Sequence, residues 1–127
     1  MSEYQLFING EYKPAESGKT ADSLNPATGE VYASVHQAGV VDAKKALDAA
    51  QAGFQVWSQM PAAAREAVML KAADVMAARQ QEMMDVLIDE AGCTMLKAGF
   101  EASHTPDFVR AMAGEARRII GETFESN

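Results

Sequence analysis

The chain has 127 residues, of which 48% are hydrophobic, and its formal net charge is −7. This length is enough for one domain, and the acidic charge argues against a nucleic-acid partner because a phosphate backbone would be repelled. No apolar run approaches the roughly 20 residues of a membrane span, and the first segment, MSEYQLFING, lacks the regions of a secretory signal. No membrane partner is therefore expected. The single cysteine cannot form an internal disulfide, so the chain is expected to be cytoplasmic, because reducing compartments disfavour disulfides.

The first third of the chain predicts two β-hairpins. In the segment YQLFINGEYK, residues 4–13, the pair Asn9-Gly10 is a strong hairpin signal. Both residues tolerate the positive φ that a type I′ turn requires. The segment is therefore predicted to fold back on itself as a short antiparallel pair.

The motif NPATGEV, which begins at Asn25, predicts the turn of the second hairpin. Asn25 is pushed to extended geometry by the proline, Pro26 presets the first turn position, and Gly29 can adopt the left-handed conformation that closes the loop. Residues 20–24 and 30–36 are then predicted to pair. On the second strand, one face is expected to carry Val31, Ala33 and Val35, and the other Tyr32, Ser34 and His36.

After Gly39 the hydrophobic period becomes helical. Asp42 falls in the first predicted turn, where a carboxylate suits the helix dipole, and Pro61 is expected to open a second helix. Much of the apolar content is alanine, which buries little area, so we expect a thin core. The apolar stripe of the first helix consists of Ala43, Ala46, Leu47, Ala50, Phe54 and Trp57.

The C-terminal half predicts further helices. Residues 80–91 continue the helical pattern, and Gly92 is a suitable residue just past a helix end. A last helical region covers 95–120, where Pro106 is expected to split or kink the helix and Thr105 to cap the second part. The order of two hairpins, in a β segment at 1–39, and three or four helices, in a segment at 40–127, predicts an α+β fold.

Cys93 is the residue that most resembles a nucleophile. It follows a predicted helix C-terminus, whereas a thiolate is stabilised at helix N-termini. Lys97 is the only cation nearby in sequence. We therefore interpret Cys93 as a small, half-buried residue at a helix boundary and not as a catalytic group.

The remaining polar candidates have structural interpretations too. His36, His104 and Cys93 lack the close pairing typical of zinc ligands, so His36 is expected to be a polar strand residue and His104 to lie on a helix surface. A row of carboxylates follows one helical face and is expected to be exposed, since carboxylates are rarely buried unpaired. It consists of Glu82, Asp85 and Asp89.

Several aromatic and methionine side chains have helical spacing. Phe54 and Trp57 are interpreted as core residues and not as a stacking platform for a base. The methionine-rich segment is a candidate contact surface, because methionine adapts to irregular partners. Its members are Met69, Met76, Met83 and Met84.

The order and spacing of these motifs resemble the N-terminal portion of the NAD(P)-dependent aldehyde dehydrogenase superfamily. The resemblance runs from about Phe7 to Thr123 and includes FINGEY at 7–12 and NPATGEV at 25–31. It also includes Asp42, Ala46, Ala50, Phe54, Trp57, Pro61, Arg65, Glu90, Gly92, Glu101, Asp107, Arg110, Ala113, Gly114 and the GET segment at 121–123.

This resemblance implies a specific chemistry for the complete enzyme. In the family, a cysteine thiolate attacks an aldehyde, hydride passes to NAD or NADP, and a glutamate activates water to release the carboxylic acid. The region similar to this chain is the first part of the coenzyme-binding domain, whose helices pack beside a parallel sheet. The resemblance therefore implies that the complete enzyme has an α/β fold, in which this chain is joined to the missing sheet and the catalytic domain. It also implies that the complete enzyme is a homo-oligomer.

The same resemblance implies that the chain alone is inactive. The family's catalytic cysteine, glutamate and cofactor-binding residues correspond to positions beyond Asn127, and no glycine-rich phosphate-binding motif occurs in the chain. We expect no catalytic, cofactor-binding or metal-binding residue here, and no bound cofactor. Some members bind a monovalent cation near the positions of Glu90, Ser23 and Leu24, which we do not expect in this chain alone.

Departures from the family pattern suggest a subtype. Val40 replaces the usual polar helix cap, and Ala111 and Met112 replace a common aromatic pair. The segment Lys97-Ala98-x-x-Glu101 is similar to that of members acting on aromatic aldehydes such as benzaldehyde or vanillin.

An alternative remains: a non-catalytic helical module that oligomerises through exposed apolar faces.

Overall fold

The computed structural model describes residues 2–125, so Met1, Ser126 and Asn127 of the predicted segments lie outside the described residues. The β elements come first and the helices follow, as predicted. They are β1 (Ser2–Tyr4), β2 (Leu6–Ile8), β3 (Glu11–Lys13), β4 (Thr20–Leu24), β5 (Val31–His36), α1 (Val40–Gln59), α2 (Ala62–Ala78), α3 (Gln80–Asp89) and α4 (Met95–Glu115). The predicted α+β class is confirmed.

The first hairpin has the predicted turn. β2 pairs antiparallel with β3, with Phe7 opposite Tyr12. Asn9 and Gly10 both have positive φ, at 55° and 80°, which is the backbone geometry that selects this dipeptide. Phe7 and Tyr12 lie with their rings 4.9 Å apart, so this cross-strand aromatic pair stabilises the hairpin.

The second hairpin is confirmed, but it belongs to a three-stranded sheet in the order β1-β5-β4. β4 pairs antiparallel with β5, whereas β1 pairs parallel with β5. Sequence analysis missed β1 because a strand of three residues carries no periodic pattern of its own. Its pairing depends on a partner about thirty positions away, which only the tertiary structure supplies.

The predicted alternation along β5 is wrong in part. Ala33 and His36 are buried, whereas Val31 and Val35 are exposed. The register is irregular at the start of the strand: Ser23 lies opposite Ala33, but Leu24 lies opposite Val31, so Tyr32 has no partner on β4. The pairs from Ala33 to His36 are regular, so this irregularity accounts for Val31 and not for Val35. A bulge of this kind places two residues of one strand against one of the other and resets which face each residue occupies.

The loop between β4 and β5 folds on Asn25 as the motif predicts. The Asn25 side-chain oxygen accepts hydrogen bonds from the amides of Ala27, at 2.9 Å, and Thr28, at 3.3 Å. Gly29 has φ of 74°, and its amide donates to the Asn25 carbonyl at 2.8 Å. Asparagine, proline and glycine thus each have a defined role in this turn.

The end of α3 is held by Gly92, as predicted. The amides of Gly92 and Cys93 donate to the carbonyls of Ile88 and Leu87, which satisfies acceptors that a helix end leaves free. Gly92 has φ of 65°, and a Cβ atom there would lie 2.7 Å from Cγ of Pro26. The backbone of α3 therefore touches the NPATGEV loop at a point where only glycine fits.

The helices begin close to their predicted positions. Pro61 is the residue before α2 and one position earlier than expected, and the Arg65 guanidinium donates to the Met60 carbonyl at 2.8 Å across the α1–α2 turn. Thr94 caps α4 by accepting from the Lys97 amide. Thr94 was not predicted as a cap, although threonine before an apolar run is a recognised signal.

The structure corrects three details of α4. The helix ends at Glu115 and not near 120. Of the split or kink expected at Pro106, the split is wrong, since Pro106 lies inside one helix. Thr105 is not a cap: its hydroxyl donates to the Glu101 carbonyl at 2.7 Å. Pro106 has no amide hydrogen, so the carbonyl of Ala102, four residues earlier, loses its usual donor. The hydroxyls of Ser103 and Thr105 donate to the neighbouring carbonyls of Phe100 and Glu101.

The helices α2, α3 and α4 pack together through very small side chains. Ala73 of α2 and Ala98, Ala102 and Ala113 of α4 are buried, which allows the helix backbones to approach closely. Within residues 2–125, the buried residues of all types are six alanines, Pro106, His36 and Asp42. The core is as thin as the composition predicts.

Large apolar side chains are left outside this core. Phe54 and Trp57, which sequence analysis placed in a core, are 58% and 40% exposed. The chain exposes 9414 Å², whereas a compact monomer of 13.6 kDa is expected to expose about 6,600 Å². The α1 stripe is therefore present: its first part, with Ala43 and Ala46, lies beside β2, whereas Leu47, Phe54 and Trp57 stay exposed.

Replacing Gly92 by alanine tests the contact between α3 and the loop. We expect Gly92→Ala to lower the free energy of unfolding by about 2 kcal/mol, because the left-handed backbone and the Pro26 ring both oppose a Cβ atom. Urea unfolding followed by circular dichroism measures this change.

Gly53→Ala is the matched control, since Gly53 lies within α1 and nothing stands within 4 Å of its Cβ position. This control should stabilise the chain by about 0.5–1 kcal/mol, because glycine inside a helix is unfavourable relative to alanine. Equal stability of Gly92→Ala and the unsubstituted chain would contradict the proposed role of Gly92.

Candidate functional site

The NPATGEV loop and the end of α3 form the junction between the β and helical segments. The Asn25 side-chain amide donates to Asp89 Oδ1 at 3.5 Å, and the Ser23 hydroxyl donates to Glu90 Oε1 at 3.4 Å. Pro26 packs against Gly92 at the same place. The tertiary structure thus brings together residues that are more than sixty positions apart in sequence.

This junction is built for attachment and not for proton transfer. Burial, followed by a hydrogen bond with Tyr4, raises the pKa of Tyr32, and the charges of Asp89 and Glu90 add to this effect. Tyr32 therefore stays neutral at physiological pH. Asp89 and Glu90 each hold one polar side chain from the β segment, which accounts for two carboxylates at the end of a helix.

Cys93 lies half-buried in the connection between α3 and α4, as predicted. Its Sγ atom is 3.3 Å from Lys97 Nζ, and the same Nζ is 2.7 Å from Glu101 Oε1. The hydrogen bond to Glu101, and secondarily the one to Cys93, raises the pKa of Lys97. A lysine held in its charged form cannot serve as a general base for the thiol, and the hydrogen bond described at the Cys93 side chain is the one with Lys97 and joins it to no histidine or carboxylate.

The two histidines lie in unrelated parts of the fold. His36 is buried, accepts a hydrogen bond from the Ala15 amide at Nδ1, and contacts Glu3 through Nε2 at 2.8 Å. His104 is exposed on α4, as predicted, and its ring stacks on Phe100 with centroids 3.9 Å apart. Both imidazoles have local structural partners, and neither forms a hydrogen bond to Cys93.

The predicted acidic row on α3 is only partly an exposed face. Glu82 is exposed, and its hydrogen bond with Arg79 lowers its pKa. Asp85 is exposed and accepts from the Gln81 side chain. Asp89 is half-buried at the junction with Asn25. Asp89 was expected to be exposed and is instead half-buried, because the NPATGEV loop, which is distant in sequence, covers this end of the row.

The methionine-rich segment contributes to a groove of about 430 Å³ between α2, α3 and α4. Met76 and Met83 line it together with Val75, Val86 and Leu87, and the charged ends of Arg79 and Glu82 lie at its margin. Met84 contacts α4 beside Gly99. Glu101 and Thr105 also line the groove, so its wall is apolar along the methionines and polar on the side of α4.

The start of α1, after β5, is a helix N-terminus, and helix N-termini in general can bind anions such as phosphate. Here Asp42 occupies that position: its carboxylate accepts from the Gly39 amide at 2.9 Å and from the Glu16 amide at 3.1 Å. The hydrogen bond from Gly39 is the main cause of a lowered pKa at Asp42. A carboxylate at this helix end would repel a phosphate, so the start of α1 does not suit an anionic ligand.

Asp42 has a second role that sequence analysis missed. By accepting from Glu16, it joins the connector after β3 to the start of α1, and Lys45 forms an ion pair with the Glu16 side chain. No local pattern links Glu16 to Asp42, which lie 26 positions apart. The sequence predicts only that the Asp42 carboxylate lies in the first turn of α1, where it suits the helix dipole.

Residues 2–125 contain neither a cluster of metal ligands nor a helix that could span a membrane. Among these residues, no three His, Cys, Asp or Glu side chains are grouped so that they could hold a metal ion. None of the helices in this range combines the length and the apolar composition needed to cross a bilayer.

With this geometry established, comparison with known proteins defines the family. The Aldehyde dehydrogenase family profile matches residues 12–127. The chain is also 32% identical over 119 residues to a glutarate-semialdehyde dehydrogenase of Pseudomonas putida, a match that covers 94% of this chain. The chain therefore belongs to the aldehyde dehydrogenase family, and the resemblance predicted at that level is confirmed.

Solved structures agree with this assignment. A salicylaldehyde dehydrogenase from Pseudomonas putida G7, complexed with salicylaldehyde, superposes on 100% of this chain with a TM-score of 0.93 and 31% identity. An NAD-dependent aldehyde dehydrogenase from Sinorhizobium meliloti covers 95% of it with a TM-score of 0.90 and 34% identity. The fold is therefore that of the N-terminal part of these enzymes.

The relatives are much longer than this chain. The match covers 25% of the glutarate-semialdehyde dehydrogenase, 26% of the salicylaldehyde dehydrogenase and 25% of the Sinorhizobium enzyme. The chain thus spans about a quarter of the length of the relatives it matches.

Replacing Asp42 by asparagine tests the hydrogen bonds at the start of α1. Asparagine keeps one acceptor oxygen but loses the charge, so Asp42→Asn should lower the midpoint of urea unfolding at pH 7. Because the folded-state pKa of Asp42 is lowered, its contribution is fully present above the ordinary value of 3.8 and is lost as pH falls through the folded-state pKa. The difference between the two proteins should therefore shrink below pH 3.8.

Asp48→Asn is the control for this experiment. Asp48 is exposed on the same helix and forms only a surface ion pair with Lys44, so its replacement should change the midpoint little. A difference between Asp42→Asn and the unsubstituted chain that stays constant from pH 7 to pH 2 would contradict the assigned role of Asp42.

Proposed function

We propose that this chain is the N-terminal segment of an enzyme that oxidises an aldehyde to a carboxylic acid with NAD(P)⁺, and that it works only together with the remainder of that fold. The superposition of the entire chain on about a quarter of a salicylaldehyde dehydrogenase is the observation that carries the proposal. The large exposed surface supports it, because soluble monomers rarely leave extensive apolar patches uncovered.

In the proposed reaction, an aldehyde, NAD(P)⁺ and water give a carboxylate, NAD(P)H and two protons. The cofactor accepts the hydride when it is bound to the complete enzyme. The residues of this chain hold structural elements in place: Gly92 and Pro26 join the two segments, and Asp42 orders the start of α1. The catalytic residues are proposed to lie in the part of the family fold that this chain does not span.

The proposed division of the chain into two segments follows from the same proposal. Residues 1–39 form the β segment and 40–127 the helical segment of an incomplete coenzyme-binding domain. The complete enzyme is proposed to be a cytoplasmic homo-oligomer. The absence of a disulfide partner for Cys93 within this sequence supports the proposed compartment.

Aromatic aldehydes such as benzaldehyde or vanillin are the proposed substrate class. The segment Lys97-Ala98-x-x-Glu101 supports this proposal, and in the structure Lys97 pairs with Glu101 across one helical turn. The salicylaldehyde complex of a structural neighbour provides an aromatic aldehyde against which the proposal can be tested.

A non-catalytic module that oligomerises is the alternative function. The apolar stripe on α1, which includes Leu47 at 71% exposure, is the observation that favours it. A module of this kind would bury the stripe against copies of itself and would form a discrete assembly that unfolds cooperatively.

A fusion protein tests the enzyme proposal. The chain replaces the matched N-terminal quarter of the salicylaldehyde dehydrogenase, and NAD(P)H formation is followed by absorbance with salicylaldehyde and benzaldehyde. We expect turnover by the fusion and none by the chain alone, because the chain provides neither an activated nucleophile nor a nucleotide site. The dehydrogenase without its N-terminal quarter is the control and should be inactive.

The isolated chain provides the opposing measurements. It should bind a hydrophobic dye and self-associate without a defined stoichiometry, since its apolar faces are open to solvent. Turnover by the chain alone, or a discrete oligomer together with an inactive fusion, would overturn the enzyme proposal. The intact mass of the native protein gives an independent answer about the length of the natural polypeptide.

A further inference from the structure

The turn of the first hairpin contains a dipeptide that can change its own covalent structure. Asparagine is thermolabile, because the backbone nitrogen of the residue that follows it can attack the carbon of its side-chain amide. Asn9 and Gly10 are both exposed. Nothing stands within 4 Å of the Cβ position of Gly10, and glycine has no Cβ atom that would hinder the approach of its own nitrogen.

Asn9 differs from Asn25, the other asparagine that the structure describes. Asn25 is followed by Pro26, whose ring nitrogen carries no hydrogen and cannot close the same reaction. The Asn25 side-chain nitrogen is also held, since it donates to Asp89 Oδ1 at 3.5 Å. Among the turn and loop hydrogen bonds of residues 2–125, none is donated by the Gly10 amide. Of the two described asparagines, only the one in the first hairpin therefore has a nucleophile beside it.

The first hairpin is a part of the fold that opens at low cost. β2 and β3 form a sheet of their own, separate from the three-stranded sheet, and each has three residues. Phe7 and Tyr12 are 62% and 72% exposed, so their ring contact buries little surface. A two-stranded hairpin is marginally stable, and local opening lets the backbone rotate at Asn9 until the Gly10 nitrogen reaches the side-chain carbon.

We propose that Asn9-Gly10 is a site of spontaneous deamidation, and that one product of the reaction breaks the first hairpin. The Gly10 nitrogen loses its proton and forms a bond to Cγ of Asn9, the bond from Cγ to Nδ2 breaks, and ammonia leaves. Water then opens the cyclic imide at either of its carbonyls. The products are aspartate and isoaspartate, and in isoaspartate the main chain runs through Cγ. The reaction consumes water alone and needs no enzyme or oxidant.

The two products have different effects on the turn. Asp-Gly, like Asn-Gly, is a favoured type I′ pair, so the aspartate product keeps the turn and adds one negative charge to the formal −7. Isoaspartate lengthens the main chain by one carbon at Asn9 and Gly10, where φ is 55° and 80°. The turn sets the register of a hairpin, so the longer loop no longer holds Phe7 opposite Tyr12. β2, which lies beside α1, then loses its partner strand.

Incubation of the chain in neutral and in mildly alkaline buffer tests the proposal. Peptide mass spectrometry, with fragmentation that separates aspartate from isoaspartate, measures the loss of the side-chain amide at Asn9 and at Asn25. We expect Asn9 to convert faster than Asn25 by about 10-fold or more, because Pro26 has no amide hydrogen. The rate at Asn9 should rise with pH, since the attacking nitrogen must lose its proton.

Asn9→Gly is the matched control, because Gly-Gly also favours a type I′ turn and carries no side-chain amide. The hairpin of this variant should form, and peptides that contain position 9 should keep their mass during the incubation. The unsubstituted chain incubated in urea provides the conversion rate of the unfolded state.

Hydrogen exchange measures the effect of the reaction on the hairpin. The isoaspartate form, separated from the starting chain by ion exchange, is compared with freshly prepared Asn9→Asp, which has the added charge but an ordinary main chain. The amides of β2 and β3 should exchange about 10-fold faster in the isoaspartate form, and within about 2-fold of the starting chain in Asn9→Asp.

The outcomes are distinct. Conversion at Asn9 with Asn25 intact, and faster exchange in the isoaspartate form alone, would support the proposal. Equal conversion at both asparagines, or an intact Asn9 in the folded chain under conditions that convert it in urea, would overturn it. Unchanged exchange in the isoaspartate form would also overturn it, since the hairpin would then survive the reaction. These outcomes are independent of the aldehyde dehydrogenase proposal, which the fusion protein tests.

Discussion

The packing of helices through alanine is the constraint on which the rest of this structure depends. A methyl group allows two helix backbones to approach closely, but it removes little apolar surface from water, on the order of 0.8 kcal/mol for each carbon. Ala73, Ala98 and Ala102 thus fix the arrangement of α2 and α4 without forming a large core. The larger apolar residues are directed outward, where only additional structure can bury them.

The attachment of the β segment to the helices depends on a second close approach. Pro26 occupies the space that a side chain at position 92 would need, and the Asn25 and Ser23 side chains donate to the adjacent carboxylates. The NPATGEV motif is therefore a device for joining elements. Its residues act in the assembly of the domain, which explains a strong sequence signature without catalytic groups.

The alanine packing and the contact of Pro26 with Gly92 leave other parts of the chain available for function. The helix N-terminus that follows β5 holds the Asp42 carboxylate and not a phosphate, and Cys93 has a charged lysine beside it and no base. The α1 stripe and, on α4, the side chains of Leu96 and Phe108 face solvent. These exposed apolar faces support the proposal that the chain completes a larger enzyme, and the chain belongs to the aldehyde dehydrogenase family.

The sequence by itself determined the features that depend on neighbouring residues. These are both hairpin turns, the start of each helix within one or two positions, the end of α3 at Gly92, the half-buried position of Cys93 and the exposed position of His104. The tertiary structure alone decided β1, the bulge at Tyr32, the continuity of α4 through Pro106, and the contacts of Asp89 and Asp42. Local signals act through backbone preferences and short-range hydrogen bonds, which the sequence states directly. Pairing, burial and helix continuity depend on partners tens of residues away, whose positions exist only once the chain has folded.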